Sequence, residues 1–282
     1  MPNTFGSKLE KAFADFGQLC VGIDPHETLL EEWGLENSAD GVDYFANKVI
    51  DAAAGRVGII KPQVSFFERF GSAGFEVLER VTHRAHDAGL LVIADAKRGD
   101  IGSTMEAYLE AWLGRRSPFY ADTLTVSPFL GLESTTSLLA DYLERGRGVI
   151  ALVATSNPEG ASVQLSETAG ESISSQIWNK IGQLNSVIAG PGDKFGAIGA
   201  VIGATLKMSR FGLDLSQPGV KTPILAPGFG AQGAELGDIR AIFGEASQQV
   251  IASVSRSVLS AGPEGVASAI ERSVDELAAA LD

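Results

Sequence analysis

The run from Leu90 to Thr104, LLVIADAKRGDIGST, is an apolar stretch of strand length that ends in a dense set of charges. Side chains alternate along a strand, so Asp95 and Lys97 share one side while Ala96 faces away. Asp100 follows Gly99 on a turn that opens a helical pattern. An ammonium fixed at such a place can stabilise negative charge developing on a neighbouring atom and then deliver a proton to it. Two aspartates side by side raise one another's pKa, and interleaved lysines keep both ionised. Asp-x-Lys alone fits a helix-capping salt bridge equally well. The full run Asp-x-Lys-Arg-Gly-Asp-Ile-Gly is more specific, because ion pairs at the mouth of a buried strand are costly to assemble.

The elements that must position these charges repeat along the chain. Eight short apolar runs occur at 19–23, 57–60, 90–94, 123–126, 148–154, 197–202, 223–226 and 250–254. Amphipathic segments lie between or after them, at 41–54, 66–88, 105–113, 132–143, 171–188, 234–243 and 264–281, with a further one at 1–18. Alternating strand and helix predicts a parallel sheet with right-handed crossovers. Eight repeats in 282 residues fit one α/β domain spanning 1–282, a (β/α)8 TIM barrel. An open doubly wound sheet is the alternative architecture. The stretches 190–196 and 209–222 read as long loops before strands six and seven, and long loops near a site are often lids.

In a barrel the residues just after the strands converge. Here they include Asp24, Lys61, the Asp95–Lys97–Asp100 group, Ser127, Ser156, Asn157, Thr205, the loop Gly228–x–Gly230–x–x–Gly233, and Arg256. Lys61 alone would be read as a lysine snorkelling to the surface. Ser127 and Asn157 read as structural turn residues. The loops after strands seven and eight often bind phosphate: a glycine-rich turn offers backbone N–H groups, and Arg256 offers a planar donor fork. The same glycines match a dinucleotide fingerprint, but that fold needs the motif early, with several strand–helix units after it, and here one strand follows.

Composition narrows the classes further. The chain has 45% apolar residues and a formal net charge of −13, without a basic stripe, which argues against nucleic-acid binding. Cys20 is the only cysteine, so no disulfide framework or cysteine metal site is available; in its apolar run it reads as a small buried residue. His83 and His86 fall on a helix face with Arg80 and Asp87 that reads as solvated, and His26 lies in the turn after strand one. Carboxylates for Mg²⁺ are present, but Lys61 and Lys97 would crowd a divalent cation, so a metal-free site is expected. Residues 1–18 lack the apolar centre of a signal peptide, and no run approaches membrane-spanning length, so a cytoplasmic protein is expected.

Five motifs in order, LCVGIDP (19–25), KPQVSFFE (61–68), DAKRGDIG (95–102), ATSNPEG (154–160) and APGFGAQG (226–233), resemble the orotidine 5′-phosphate decarboxylase family in its longer bacterial form. The resemblance covers nearly the whole chain. It implies a (β/α)8 barrel that dimerises and converts orotidine 5′-phosphate to uridine 5′-phosphate and CO2 without a cofactor, the last step of pyrimidine nucleotide synthesis. It also implies a charge array of Lys61, Asp95, Lys97 and Asp100, with Lys97 as proton donor to C6 of the pyrimidine. Asp24, with Lys61 and a neighbouring subunit's Thr104, would hold the ribose hydroxyls. Asp100, Ile101 and Thr104 would reach into that neighbour's site. Ser156 would contact the pyrimidine edge, and Gln232 and Arg256 the phosphate, with the loop containing Gly230 closing over it.

Two other readings compete. Sugar-phosphate decarboxylases and synthases that stabilise an enediolate carry Asp-x-Lys-x-x-Asp as well, but use Mg²⁺. A non-catalytic phosphate-binding protein on a decayed barrel would lose the charge array first, and all four of its members are present.

Overall fold

The computed structural model describes residues 4–216 and 219–282. Eight parallel strands close a barrel in chain order: β1 (Leu19–Ile23), β2 (Ile59–Pro62), β3 (Leu91–Arg98), β4 (Thr123–Val126), β5 (Gly148–Ala154), β6 (Ile198–Ile202), β7 (Ile224–Ala226) and β8 (Val250–Val254). β8 returns to β1 through the pairs Leu19↔Ala252 and Val21↔Val254. The open-sheet alternative is therefore excluded. The principal helices are α1 (Phe5–Phe16), α2 (Ala39–Ala53), α3 (Gly71–Asp87), α4 (Gly102–Leu113), α5 (Ile173–Ile188) and α6 (Gly262–Leu281). Serine and threonine caps start several of them: Thr4, Ser38 and Ser172 each accept a first-turn N–H with the side chain.

Strand parity divides the core in two. Leu19, Val21, Ile60, Val92, Ala94, Leu124, Val126, Val149 and Ala151 face outward, into the layer under the helices. Cys20, Ile59, Ile93, Ile150, Val201, Leu225 and Ile251 face the barrel interior. Carried further along β1 to β4 and β8, the inward set becomes polar: Asp24, Lys61 and Gln63, Asp95 and Lys97, Thr125, Ser253 and Ser255. The interior is thus apolar at its N-terminal end and charged at its C-terminal end.

Helix α1 seals the apolar end. Its Phe5, Leu9 and Ala12 belong to the interior cluster together with Phe195, and Phe13 meets Phe195 edge-on. A Cβ on Gly6 would lie 1.9 Å from the Phe195 carbonyl oxygen, so only glycine lets this helix seat so closely.

Some sequence expectations are corrected. The segment 66–88 is two helices, Ser65–Glu68 and α3, parted by Arg69 and Phe70, and the chain turns into α3 through Gly71 with a φ of +61°. The segment 132–143 likewise forms two one-turn helices, Glu133–Thr136 and Ala140–Leu143. Between β6 and β7 the described residues form only the short 3-10 turn Met208–Phe211, and the chain then packs along α5, where the Trp178 indole donates to the Asp214 carbonyl. Residues 190–196 lie at the sealed end, where Phe195 pairs with Lys221 and Asp193 accepts from the Thr4 hydroxyl. No residue of 190–196 and no described residue of 209–222, of which 217 and 218 lie outside the described residues, lines the cleft at the charged end.

The same end holds a buried charge cluster. Asp122, before β4, accepts from Arg147 at 2.8 Å and Lys8 at 3.2 Å, lies 3.0 Å from His86 Nε2, and takes the Val92 N–H at 3.0 Å. His86 is therefore half-buried and engaged, not solvated. The Arg147 guanidinium also stacks 3.6 Å over the Tyr120 ring. Burial pushes the Asp122 carboxyl upward, but the His86 hydrogen bond and the charges of Lys8 and Arg147 outweigh it and hold the pKa at about 2. A carboxylate depressed on folding adds stability above its ordinary value of 3.8, and loses it as pH falls toward 2. That shift corresponds to about 2 kcal/mol. Urea unfolding between pH 6 and pH 2 is expected to show this acid-side loss, and Asp122→Asn to flatten it by about 2 kcal/mol.

Candidate active site

The site lies where the interior turns polar, and its centre is the Asp95 carboxylate. Oδ2 accepts from Lys61 Nζ and Gln63 Nε2, each at 3.0 Å. Oδ1 accepts from Lys97 Nζ at 2.6 Å and the Thr125 hydroxyl at 2.9 Å. Four hydrogen bonds fill the lone-pair capacity of a carboxylate. Asp95 and Lys61 are 7% and 6% exposed, whereas the Lys97 side chain is 45% exposed. Sequence parity anticipated the Asp95–Lys97 side-by-side arrangement, and the closed barrel brings Lys61 from the adjacent strand.

Electrostatics keep this group ionised. Burial favours the neutral form of Asp95, yet Lys61 and Lys97 more than compensate and hold its carboxyl well below the usual carboxylate range. Burial equally disfavours the Lys61 ammonium, and the carboxylates of Asp95 and Asp24 hold its pKa above the ordinary lysine value. Beneath them Cys20 is fully buried, which pushes its thiol up to about 12 and leaves it an inert packing group.

Asp24 stands beside Lys61 on the neighbouring strand. Its Oδ2 accepts from the Ser255 hydroxyl at 2.6 Å, while Oδ1 is buried with no partner among the described residues. His26 Nε2 is also a buried atom without a partner, and both residues line the same cleft. An orphaned carboxylate oxygen facing a cleft is the complement of a ligand hydroxyl. Lys61, Phe66, Gly228, Gln232 and Arg256 complete the walls, so the predicted phosphate residues after β7 and β8 do face the predicted ribose residues.

The loop 228–233 differs in detail from the expectation. Gly228, Gly230 and Gly233 all have positive φ. The N–H groups of Gly230 and Gly233 are spent within the loop, on the carbonyls of Ala234 and Gly230. Gly230 instead packs on the β8 side: a Cβ there would lie 2.5 Å from Ser257 Cβ. Gln232 Oε1 accepts from the Ser156 hydroxyl at 3.2 Å, which joins the loops after β5 and β7 across the rim.

Asp100, Ile101 and Thr104 do not enter this cleft. The one side-chain hydrogen bond of Asp100 among the described residues is from the Ile101 N–H at 2.8 Å, and Ile101 is 61% exposed. Ser127 and Asn157 act as turn residues, with Asn157 accepting from Thr155 and donating to Glu159. Sequence reading missed Gln63, Thr125 and Ser255 as partners of the charged groups. For Gln63 the signal was present, since strand parity from Lys61 points it inward.

Polar groups gathered at the carboxyl ends of eight strands, over an otherwise apolar interior, are the organisation of a (β/α)8-barrel enzyme. The sequence profile of the orotidine 5′-phosphate decarboxylase / HUMPS family matches residues 17–270. An orotidine 5′-phosphate decarboxylase of Salinispora arenicola is 45% identical over 281 residues, 99% of this chain and 98% of its own length. One from Streptomyces coelicolor is 46% identical over 262 residues, 92% and 91% of the two chains. A crystal structure from Streptomyces avermitilis superposes with a TM-score of 0.92 at 43% identity, covering 99% of this chain and 96% of that one. The chain belongs to the orotidine 5′-phosphate decarboxylase / HUMPS family.

The four-bonded carboxylate also bears on stability. Removing one partner of a buried ion pair leaves an uncompensated charge and costs about 3–5 kcal/mol. Asp95→Ala is expected to lower the urea unfolding free energy by about that much, and the double variant Asp95→Ala/Lys61→Met to recover a large part of it.

Proposed function

We propose that this chain decarboxylates orotidine 5′-phosphate to uridine 5′-phosphate and CO2, the last step of UMP synthesis, as a carboxy-lyase that uses neither metal nor cofactor. The observation that carries the reading is the Lys97 ammonium, held at the mouth of the barrel by a fully hydrogen-bonded Asp95. Loss of CO2 from C6 leaves an electron pair in the plane of the pyrimidine ring, where the π system cannot take it up. Positive charge must already stand beside that carbon, and Lys97 supplies it and then transfers a proton to C6. A unit-charge contact at 4 Å is worth about 4 kcal/mol at an effective dielectric of 20, or roughly a thousandfold in rate.

The remaining residues divide the substrate between them. Asp24 and Lys61 take the ribose hydroxyls, with the free Asp24 Oδ1 as acceptor. Ser156 reads the pyrimidine edge, and Gln232 and Arg256 hold the phosphate at the far wall of the cleft. Gly230 serves as the hinge of the covering loop, consistent with its positive φ and its contact with Ser257. A divalent cation at Asp95 would have to displace ammonium groups from both of its oxygens, which supports the metal-free reading over the Mg²⁺-dependent sugar-phosphate one.

Asp100, Ile101 and Thr104 do not line the cleft of their own subunit, and Ile101, Phe129 and Leu130 are large exposed apolar side chains. We infer a homodimer in which these faces meet and Asp100, Ile101 and Thr104 complete the partner's site, Asp100 as fourth member of the charge array. The chain works as one domain over residues 1–282, in the cytoplasm. Among the described residues no helix is long and apolar enough to cross a membrane.

The test is the ultraviolet absorbance of orotidine 5′-phosphate on adding the protein. Loss of the orotate band at the same rate with and without EDTA is expected, and loss only with added Mg²⁺ would overturn the metal-free mechanism. Lys97→Ala is expected to reduce turnover at least a thousandfold while binding of uridine 5′-phosphate, measured by calorimetry, weakens far less. Light scattering on a sizing column is expected to give twice the chain mass of 29.5 kDa; a fully active monomer would refute the shared site.

A further inference from the structure

We propose that Thr125 is a positioning residue for the reaction, one that fixes where Lys97 points, an inference that rests on Lys97 acting as the proton donor. Thr125 is fully buried on β4 and faces the interior. Its hydroxyl meets both members of the catalytic pair: it donates to Asp95 Oδ1 at 2.9 Å and accepts from the Lys97 backbone N–H at 2.9 Å.

The second bond answers a local need. β3 and β4 pair regularly at Ile93↔Thr123 and Ala94↔Leu124, and then the register shifts, with Arg98 opposite Val126. Four steps along β3 are matched by two along β4, so residues 95–97 bulge from the ladder. Within the bulge Lys97 takes a φ of +49°, a left-handed conformation that a side chain with a Cβ rarely adopts. In a regular strand, residues two apart are separated by nearly 7 Å. The bulge instead swings the Lys97 chain back until Nζ lies 2.6 Å from the Asp95 carboxylate it follows. The cost is a backbone N–H removed from the strand ladder in a partly buried place, which requires another acceptor. The Thr125 hydroxyl is that acceptor, and by donating to Asp95 it ties the bulged backbone and the carboxylate to one atom. Ser127 N–H then takes the Arg98 carbonyl at 2.8 Å, which closes the bulge on its far side.

This assigns Thr125 to the rate of proton delivery, not to ligand affinity, since its hydroxyl is fully buried and engaged by Asp95 and the Lys97 backbone. Thr125→Val keeps the shape and removes the hydroxyl; Thr125→Ala removes the hydroxyl with less risk of misfit; Thr125→Ser keeps it. Steady-state kinetics with orotidine 5′-phosphate is expected to show kcat down at least tenfold in the Val and Ala variants, KM and uridine 5′-phosphate affinity within threefold of wild type, and Thr125→Ser within threefold of wild type throughout. A kcat within threefold of wild type in folded Thr125→Val or Thr125→Ala would overturn the proposal. So would equal losses in Ser, Ala and Val, which would mark a merely structural role. Crystal structures of the Ala and Val variants separate this inference from the assigned reaction. Departure of Lys97 from positive φ, or of its Nζ from Asp95, supports it even if wild-type protein proves inactive on this substrate. An unchanged Lys97 overturns it.

Discussion

The structure depends on one carboxylate that cannot be left alone. Asp95 is buried among strands, and a bare charge there would be prohibitively unfavourable. Its four donors come from three different strands or their ends: Lys61 and Gln63 from β2, Lys97 from its own strand, Thr125 from β4. Each donor is oriented by being needed, so the group that would be most costly to bury becomes the group that fixes geometry. Preorganisation of this kind places the electrostatic cost in folding and leaves little reorganisation for the chemical step.

The barrel supplies the conditions for that exchange. Its interior is filled with aliphatic side chains below the charge layer, so the ion pairs sit on a low-dielectric floor that strengthens them. At the opposite end, Asp122, Arg147 and Lys8 form a second array around a buried carboxylate, beside a pocket lined by Tyr120, Arg145 and Arg147. The two arrays share a chemical composition and differ in setting. One ties α1 and the strand starts together, and the other leaves an ammonium facing a ligand-sized opening.

Much of this was legible in the chain. The eight apolar runs mark the eight strands within a few residues, because period-two burial and glycine-bounded ends are local signals. Asp95 and Lys97 stand out for a similar reason, since they end an apolar run at positions whose parity is readable, whereas Asp24 and Lys61 were picked out by the family resemblance of the motifs they sit in. Thr125, Ser255 and the His86–Asp122 contact were not, because their meaning lies in cross-strand register and not in neighbouring residues. Threonine within Thr-Leu-Thr-Val reads as ordinary strand composition, and only the bulge opposite it turns its hydroxyl into a shared acceptor and donor. The helix break at Gly71 was hidden by amphipathic spacing that does not record φ.

The plug formed by α1 has a bearing on traffic through the molecule. Among the described residues Phe5, Leu9 and Phe195 fill the barrel floor, and the cleft opens at the strand ends. In the proposed reaction, gas and nucleotide must leave by the route the substrate used to arrive. The Ser156–Gln232 contact spans that rim, so whatever parts it serves arrival and departure alike. In a one-door chamber a bound product must clear the opening before the next substrate can enter.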